Sequence, residues 1–233
     1  MKLKNITITP TTLDKRWYDD ACGTAMALEL IGERWALLVV RELMFGGRRF
    51  SDLRAGMPGI SANILTLRLE GLERVGIVQR RMLPPPASAQ IYELTPWGYE
   101  ADIIVQQLSR WAARSPLHDP TLPLSAASIM MSFRTMFSAE QSRGEIARIG
   151  VRLGSDTFVI ETRANSIQVS RAEPEHCLAI IAAASPMALA AIVYGGQPVS
   201  AAEEVGNLTV AGDQALIARF TTWFPLPQKT SAL

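Results

Sequence analysis

Residues 48–95 read RRFSDLRAGMPGISANILTLRLEGLERVGIVQRRMLPPPASAQIYELT, and few folds accommodate that order of patterns. Residues 51–57 predict a short helix, Pro58-Gly59 a turn, and Ser61 the N-cap of a longer helix over residues 61–75 that turns Leu65, Leu69 and Leu72 inward. Gly76 closes that helix. Residues 77–83 and 90–94 then alternate as two strands of a hairpin whose tip is PPPASA. With three leucines inward, Asn63, Thr66, Leu67, Glu70 and Arg74 are left on the far face.

Helical periodicity precedes this block in residues 21–30 and 34–45, ending at Gly46-Gly47. After it, Thr95-Pro96 supplies a cap and a first-turn proline for a helix over residues 96–114, with Ile104, Leu108 and Trp111 on one side. Helix, helix, turn, helix and hairpin in this order predict a mainly α winged helix-turn-helix domain over residues 1–115. Residues 115–123, SPLHDPTLP, hold three prolines in nine positions, so residues 116–123 are expected to be a linker.

Residues 124–233 change character. A Met- and Phe-rich amphipathic helix is expected over 124–137, strands over 146–153, 157–162, 166–170 and 177–182, helices over 186–194 and 201–205, a short strand over 207–210, and an Asp213-capped helix ending near Trp223. That order predicts a second, α+β domain with a mostly antiparallel sheet.

Charge supports a division of labour. Residues 1–115 hold 15 Lys/Arg against 12 Asp/Glu, and residues 116–233 hold 8 against 10, so the slight basic excess sits with the paired helices, as contact with nucleic-acid phosphate requires. On the helix over 61–75, Asn63 and Thr66 stand where base edges are met, with Ser61 and Leu67 also expected in the DNA-binding surface. Arg68, the pair Arg48 and Arg49, and the hairpin residues Arg80, Arg81 and Gln90 are expected at the phosphates or in the minor groove, with one of Arg80 and Arg81 facing away. Cys22 and Cys177 are too few and too far apart for a disulfide framework or a zinc site, and neither His118 nor His176 has a neighbour at ligand spacing. No nucleophile–base set, carboxylate pair or phosphate loop is present, so neither an enzyme nor a cofactor is expected. Residues 1–10 read as a polar arm rather than a signal segment, and Ser185-Pro186 interrupts the longest apolar run, giving the expectation of a cytoplasmic protein with no membrane partner.

The stretch CGTAMALELIGERWALLVVRELMFGGRRFSDLRAGMPGISANILTLRLEGLERVGIV, with the hairpin and YELTPWG after it, resembles the HxlR-type bacterial winged helix-turn-helix regulators over residues 16–115. The resemblance implies double-stranded DNA as partner, a homodimer on a pseudo-palindromic operator, and an interface built from the amino-terminal helix and the helix bearing Ile104, Leu108 and Trp111. Cys22 matches a position where some members carry a redox-sensing thiol; Asp19 and Asp20 beside it would raise its pKa, so a buried structural cysteine is expected. Residues 144–224, ending in NLTVAGDQALIARFTTWF, are similar to sterol-carrier-protein type 2 domains. That similarity implies an apolar, lipid-like ligand in a pocket of Met130, Phe133, Met136, Phe137, Phe220, Trp223 and Phe224, and control of DNA binding by it. Two other readings stand beside this one: a lipid-binding carrier whose winged helix is an interaction module, and a regulator whose second domain is only structural.

Overall fold

The structure, a computed structural model, describes residues 18–231; the polar arm expected over residues 1–10 lies outside them. Among the described residues, six helices and a hairpin make the amino-terminal unit: α1 (Gly23–Ile31), α2 (Ala36–Leu43), α3 (Phe50–Ala55), α4 (Ala62–Arg74), β1 (Val78–Met82), β2 (Gln90–Leu94), α5 (Pro96–Glu100) and α6 (Asp102–Ala113). The local causes are those the sequence contains. Ser61 Oγ accepts from the Ile64 amide at 3.2 Å and starts α4, and Leu65, Leu69 and Leu72 are buried, each worth about 2 kcal/mol of transfer free energy. Gly76 ends the helix with φ +77°. The strands pair antiparallel from Val78 opposite Leu94 to Met82 opposite Gln90. Thr95 Oγ1 accepts from the Gly98 amide at 3.0 Å and donates to the Gly76 carbonyl at 2.7 Å, tying the helix after the hairpin to the end of α4. A Cβ at Gly98 would stand 2.2 Å from the Ile77 carbonyl oxygen, so that junction needs glycine. The single helix expected over 96–114 is two, α5 and α6, broken at Ala101, where ψ is −8°.

The carboxyl-terminal unit comprises α7 (Ala126–Met136), α8 (Ala139–Ser142), β3 (Ala147–Leu153), β4 (Asp156–Arg163), β5 (Ser166–Arg171), β6 (Ala179–Ala183), α9 (Pro186–Val193), α10 (Val199–Glu204), β7 (Leu208–Gly212) and α11 (Gln214–Phe220). Its sheet runs β5-β4-β3-β6-β7. Three pairings are antiparallel and β3–β6 is parallel, the α+β pattern with a mostly antiparallel sheet. Strand β6 starts at Ala179, two residues later than expected, because the chain before it crosses the sheet: Pro174 is buried over Gly150, where a Cβ would meet it at 2.4 Å.

Helix α7 departs from its expected amphipathicity. Only Ser132 and Arg134 escape burial along it, because it is sandwiched between α2 and α6 on one side and β5 and α9 on the other. One hydrophobic core therefore runs without a break from Val39, Leu43 and Leu69 through Met130 and Phe133 to Ile149, Ile181 and Phe220. Residues 116–123 form exposed turns, and the tail folds back beside them: the Thr230 amide donates to the Arg114 carbonyl at 2.8 Å, and Lys229 Nζ to the Ser115 carbonyl at 2.9 Å and the His118 carbonyl at 3.1 Å. Among the described residues no helix is long and apolar enough to cross a membrane, and no cluster of His, Cys, Asp and Glu is placed to hold a metal.

Candidate nucleic-acid interface

Helix α4 presents Asn63, Thr66, Leu67, Glu70 and Arg74 to solvent, the face opposite its buried leucines. Asn63 and Thr66 follow the Ser61 cap within the first turn and a half, where a helix entering a groove brings short hydrogen-bonding side chains against base edges. Leu67 is 55% exposed, an apolar group of the size that meets a thymine methyl.

The arginines are disposed less simply. Arg49 is exposed at the N-cap position of α3, and Arg54 on α3 and Arg74 on α4 are also exposed; none of the three has an ion pair among the described residues. Arg68, expected at a phosphate, is tied back instead: its Nε donates to the Arg34 carbonyl at 2.9 Å and its guanidinium lies 3.0 Å from Glu33. Arg48 is also turned inward, 2.7 Å from Asp156 of the carboxyl-terminal unit. On the hairpin, Arg80 pairs with Glu73 at 2.7 Å and lies over the Tyr92 ring, while Arg81 pairs with Glu93 at 2.9 Å, so the two do face opposite ways. The Arg81 guanidinium holds the Glu93 carboxyl below the usual carboxylate range. Gln90 is exposed at the strand end, its amide 3.3 Å from the Tyr92 hydroxyl. These glutamate partners escaped the sequence reading, although Glu93 stands opposite Gln79 in the register and diagonal to Arg81.

Exposed apolar side chains lie elsewhere on the unit. Ile104, Leu108 and Trp111 are exposed along α6, Trp111 by 71%, and Met26 and Leu28 are exposed on α1. Cys22 is a correction: it is exposed, at the N-cap of α1, and the Thr24 amide hydrogen bond pushes its thiol below the ordinary value. The helix start, not the neighbouring aspartates, sets its electrostatics.

The residues expected to line an apolar pocket do come together, packed ring against ring. Phe133 stacks on Phe224 with centroids 4.5 Å apart and meets Phe220 edge-on at 5.5 Å, Phe220 meets Trp223 at 5.6 Å, and Phe137 lies 6.3 Å from Phe224. Met130, Phe133, Met136, Phe220, Trp223 and Phe224 are all buried. An open cleft of about 510 Å³ borders this cluster at Trp223 and is also lined by Ala218, Gln141, Arg143 and the ion pair of Glu145 with Arg219.

Residues 30–118 match the family model described as HxlR-like helix-turn-helix. The HTH-type transcriptional regulator YvaP of Bacillus subtilis (strain 168) is 35% identical over 86 residues, 37% of this chain and 80% of that protein. The HTH-type transcriptional regulator YodB of the same organism is 37% identical over 86 residues, 37% of this chain and 77% of that protein. The solved reduced form of B. subtilis YodB covers 43% of this chain and 100% of its own at 33% identity, with a TM-score of 0.38. The family match ends at residue 118.

Proposed function

Because this chain belongs to the HxlR-like helix-turn-helix family, we propose that it is a DNA-binding transcriptional regulator, not an enzyme, and that it acts as a homodimer on a pseudo-palindromic operator. The observation that carries the reading is the exposed Asn63, Thr66 and Leu67 face on the Ser61-capped helix α4. Supporting the dimer are the exposed apolar side chains of Ile104, Leu108 and Trp111 along α6, with Met26 and Leu28 exposed on α1. Base contact falls to Asn63 and Thr66, and phosphate contact to Arg49, Arg54 and Arg74.

The test is a duplex enriched by the wild-type chain from a random-sequence pool, then titrated by fluorescence anisotropy. Replacing Asn63 and Thr66 together by alanine should reduce discrimination against a scrambled duplex by at least about tenfold, since one well-made base contact is worth about 1–3 kcal/mol. Undiminished discrimination would refute the assignment.

For residues 124–233 the contact of Phe133 with Phe220 and Phe224 favours a structural role. Rings that touch leave no room for a lipid-like ligand, so control by such a ligand, in a sterol-carrier-like domain, requires the cluster to open. Fatty-acyl probes that bind and shift operator affinity would restore the ligand reading.

A further inference from the structure

The connection between the two units is ionic as well as apolar, and it reaches the hairpin. The tight turn between β3 and β4 presents Asp156, whose carboxylate receives the Arg48 guanidinium at 2.7 Å and also that of Arg171; all three side chains are about one-fifth exposed. Arg48 belongs to the amino-terminal unit, in the loop between α2 and α3. Its backbone is paired with β2: the Arg48 amide donates to the Tyr92 carbonyl and the Tyr92 amide to the Arg48 carbonyl, both at 2.8 Å. Gly47 permits that approach, since a Cβ there would stand 2.6 Å from the Ile91 side chain and 3.3 Å from the Tyr92 carbonyl oxygen. Aromatic contacts back the same seam. Arg171 lies over Phe158 at 4.5 Å, Phe158 meets Phe45 edge-on at 5.8 Å, and Arg134 of α7 covers Phe45 at 5.7 Å while pairing with Asp102 of α6.

We infer that Asp156 is a positioning residue for DNA binding: through Arg48 it fixes the extended segment that pairs with β2, so the carboxyl-terminal sheet sets the pose of the hairpin relative to α4. This rests on the DNA-binding reading above. The geometry supplies the reason that Arg48 pairs with a carboxylate although it stands next to Arg49 and the hairpin: a largely buried cation with two backbone hydrogen bonds to Tyr92 and an ion pair on its side chain is a fixed link. Asp156 is the only carboxylate in ion-pair contact with Arg48 and Arg171 among the described residues; Glu42 attracts Arg171 from farther away, so loss of Asp156 leaves two guanidiniums whose mutual repulsion is only partly offset, which loosens the loop from β2.

The experiment uses the full chain and the duplex enriched by the wild type. Asp156→Asn should speed hydrogen exchange at the Tyr92 amide and weaken duplex binding, each by about tenfold, in the range of coupling through a packed network. Asp156→Glu, which keeps the carboxylate, should recover most of both. The competing role for Arg48, a direct phosphate contact, has the opposite sign: freeing Arg48 by Asp156→Asn would then strengthen binding, and that result overturns the inference. Unchanged affinity with faster Tyr92 exchange overturns it too. If Asp156→Asn does not fold by circular dichroism, Arg48→Gln breaks the same link from the other side while Asp156 stays paired with Arg171, and wild-type Tyr92 exchange and affinity in that variant overturn the inference. A wild-type chain that enriches no duplex refutes the regulator reading and the effect on affinity, while the Tyr92 exchange still decides whether Asp156 sets the hairpin.

Discussion

Salt dependence separates the arginines that meet phosphate from those that do not. In residues 1–115 the cations exceed the anions by three, 15 against 12, and several arginines are neutralised at home: Arg48 by Asp156, Arg68 by Glu33, Arg80 by Glu73 and Arg81 by Glu93. A phosphate that approaches Arg80 or Arg81 meets a zero net charge, and no counterion is released for an arginine that merely exchanges one anion for another. Arg49, Arg54 and Arg74 have no such partner, which makes six charges in a dimer. With a slope of about −0.9 in log K against log salt for each phosphate neutralised, these six supply roughly −5 of the total slope. The perturbation is a pair of double variants, Arg49→Gln with Arg74→Gln, and Arg80→Gln with Arg81→Gln. The first removes four charges from the dimer and should flatten the slope by about 3 to 4, and the second should leave it nearly unchanged. Anisotropy titrations of the enriched duplex between about 50 and 200 mM salt read both, within the range where such losses are large. A hairpin variant that loses as much slope as the helix variant would refute the reasoning, because it would mean that Glu73 and Glu93 release their arginines on binding.

Phe133→Ala should destabilise the chain by about 4 kcal/mol in urea, with tryptophan fluorescence and far-UV circular dichroism moving as one transition because the core is continuous; two separate transitions would contradict that continuity. Trp111→Glu should convert a dimer to a monomer in sedimentation velocity, and a dimer that persists would move the interface away from α6. Near neutral pH, iodoacetamide should modify Cys22 well ahead of Cys177, whose thiol burial pushes up, as peptide mass spectrometry would read; equal rates would sink the helix-start argument. Arg219 holds the Glu145 carboxyl below its ordinary value, so the pair's stabilisation is complete above the unfolded glutamate's range and lost as pH falls through the folded value. Glu145→Gln should therefore flatten the acid limb of urea stability against pH while leaving the limb above neutrality parallel, and an unaltered acid limb would remove the pair from the account.

Local chemistry was legible where a residue acts on its own neighbours. Ser61 caps α4, Gly76 ends it, Thr95 starts the helix after the hairpin and Asp213 caps α11, all as the sequence alone predicts, because each needs only an oxygen three residues from an amide or a backbone free of Cβ strain. Helix α7 was not legible. Its Met and Phe stripe reads as one apolar face, and nothing in residues 124–137 announces that α2 and α6 cover the other. The arginines fail for the same reason at longer range: Arg68 and Glu33 are 35 positions apart and Arg48 and Asp156 are 108 apart, and periodicity within a helix has no access to such partners.

That failure bears on how residues 124–233 are related to the regulator. A unit joined only through exposed turns would leave the helix-turn-helix to fold and bind as it does alone. Here α7 contributes its buried face to the amino-terminal core, Ser125 Oγ donates to the buried Glu42 carboxylate at 2.6 Å, Arg110 of α6 donates to the Thr135 carbonyl at 2.8 Å, and Asp156 holds Arg48. The Glu42 link ends on α2, which packs against the proposed base-reading helix α4, and the Asp156 link ends on the segment paired with the hairpin. Burial of Glu42 at 3% exposure makes the Ser125 contact costly to break, since among the described residues a carboxylate without Ser125 keeps Arg41 as its one ion-pair partner, in a site nearly closed to water. The second unit is thus packed against the proposed DNA-binding unit, and a shift of the β3–β4 turn is passed through Asp156 to Arg48 and the loop paired with the hairpin.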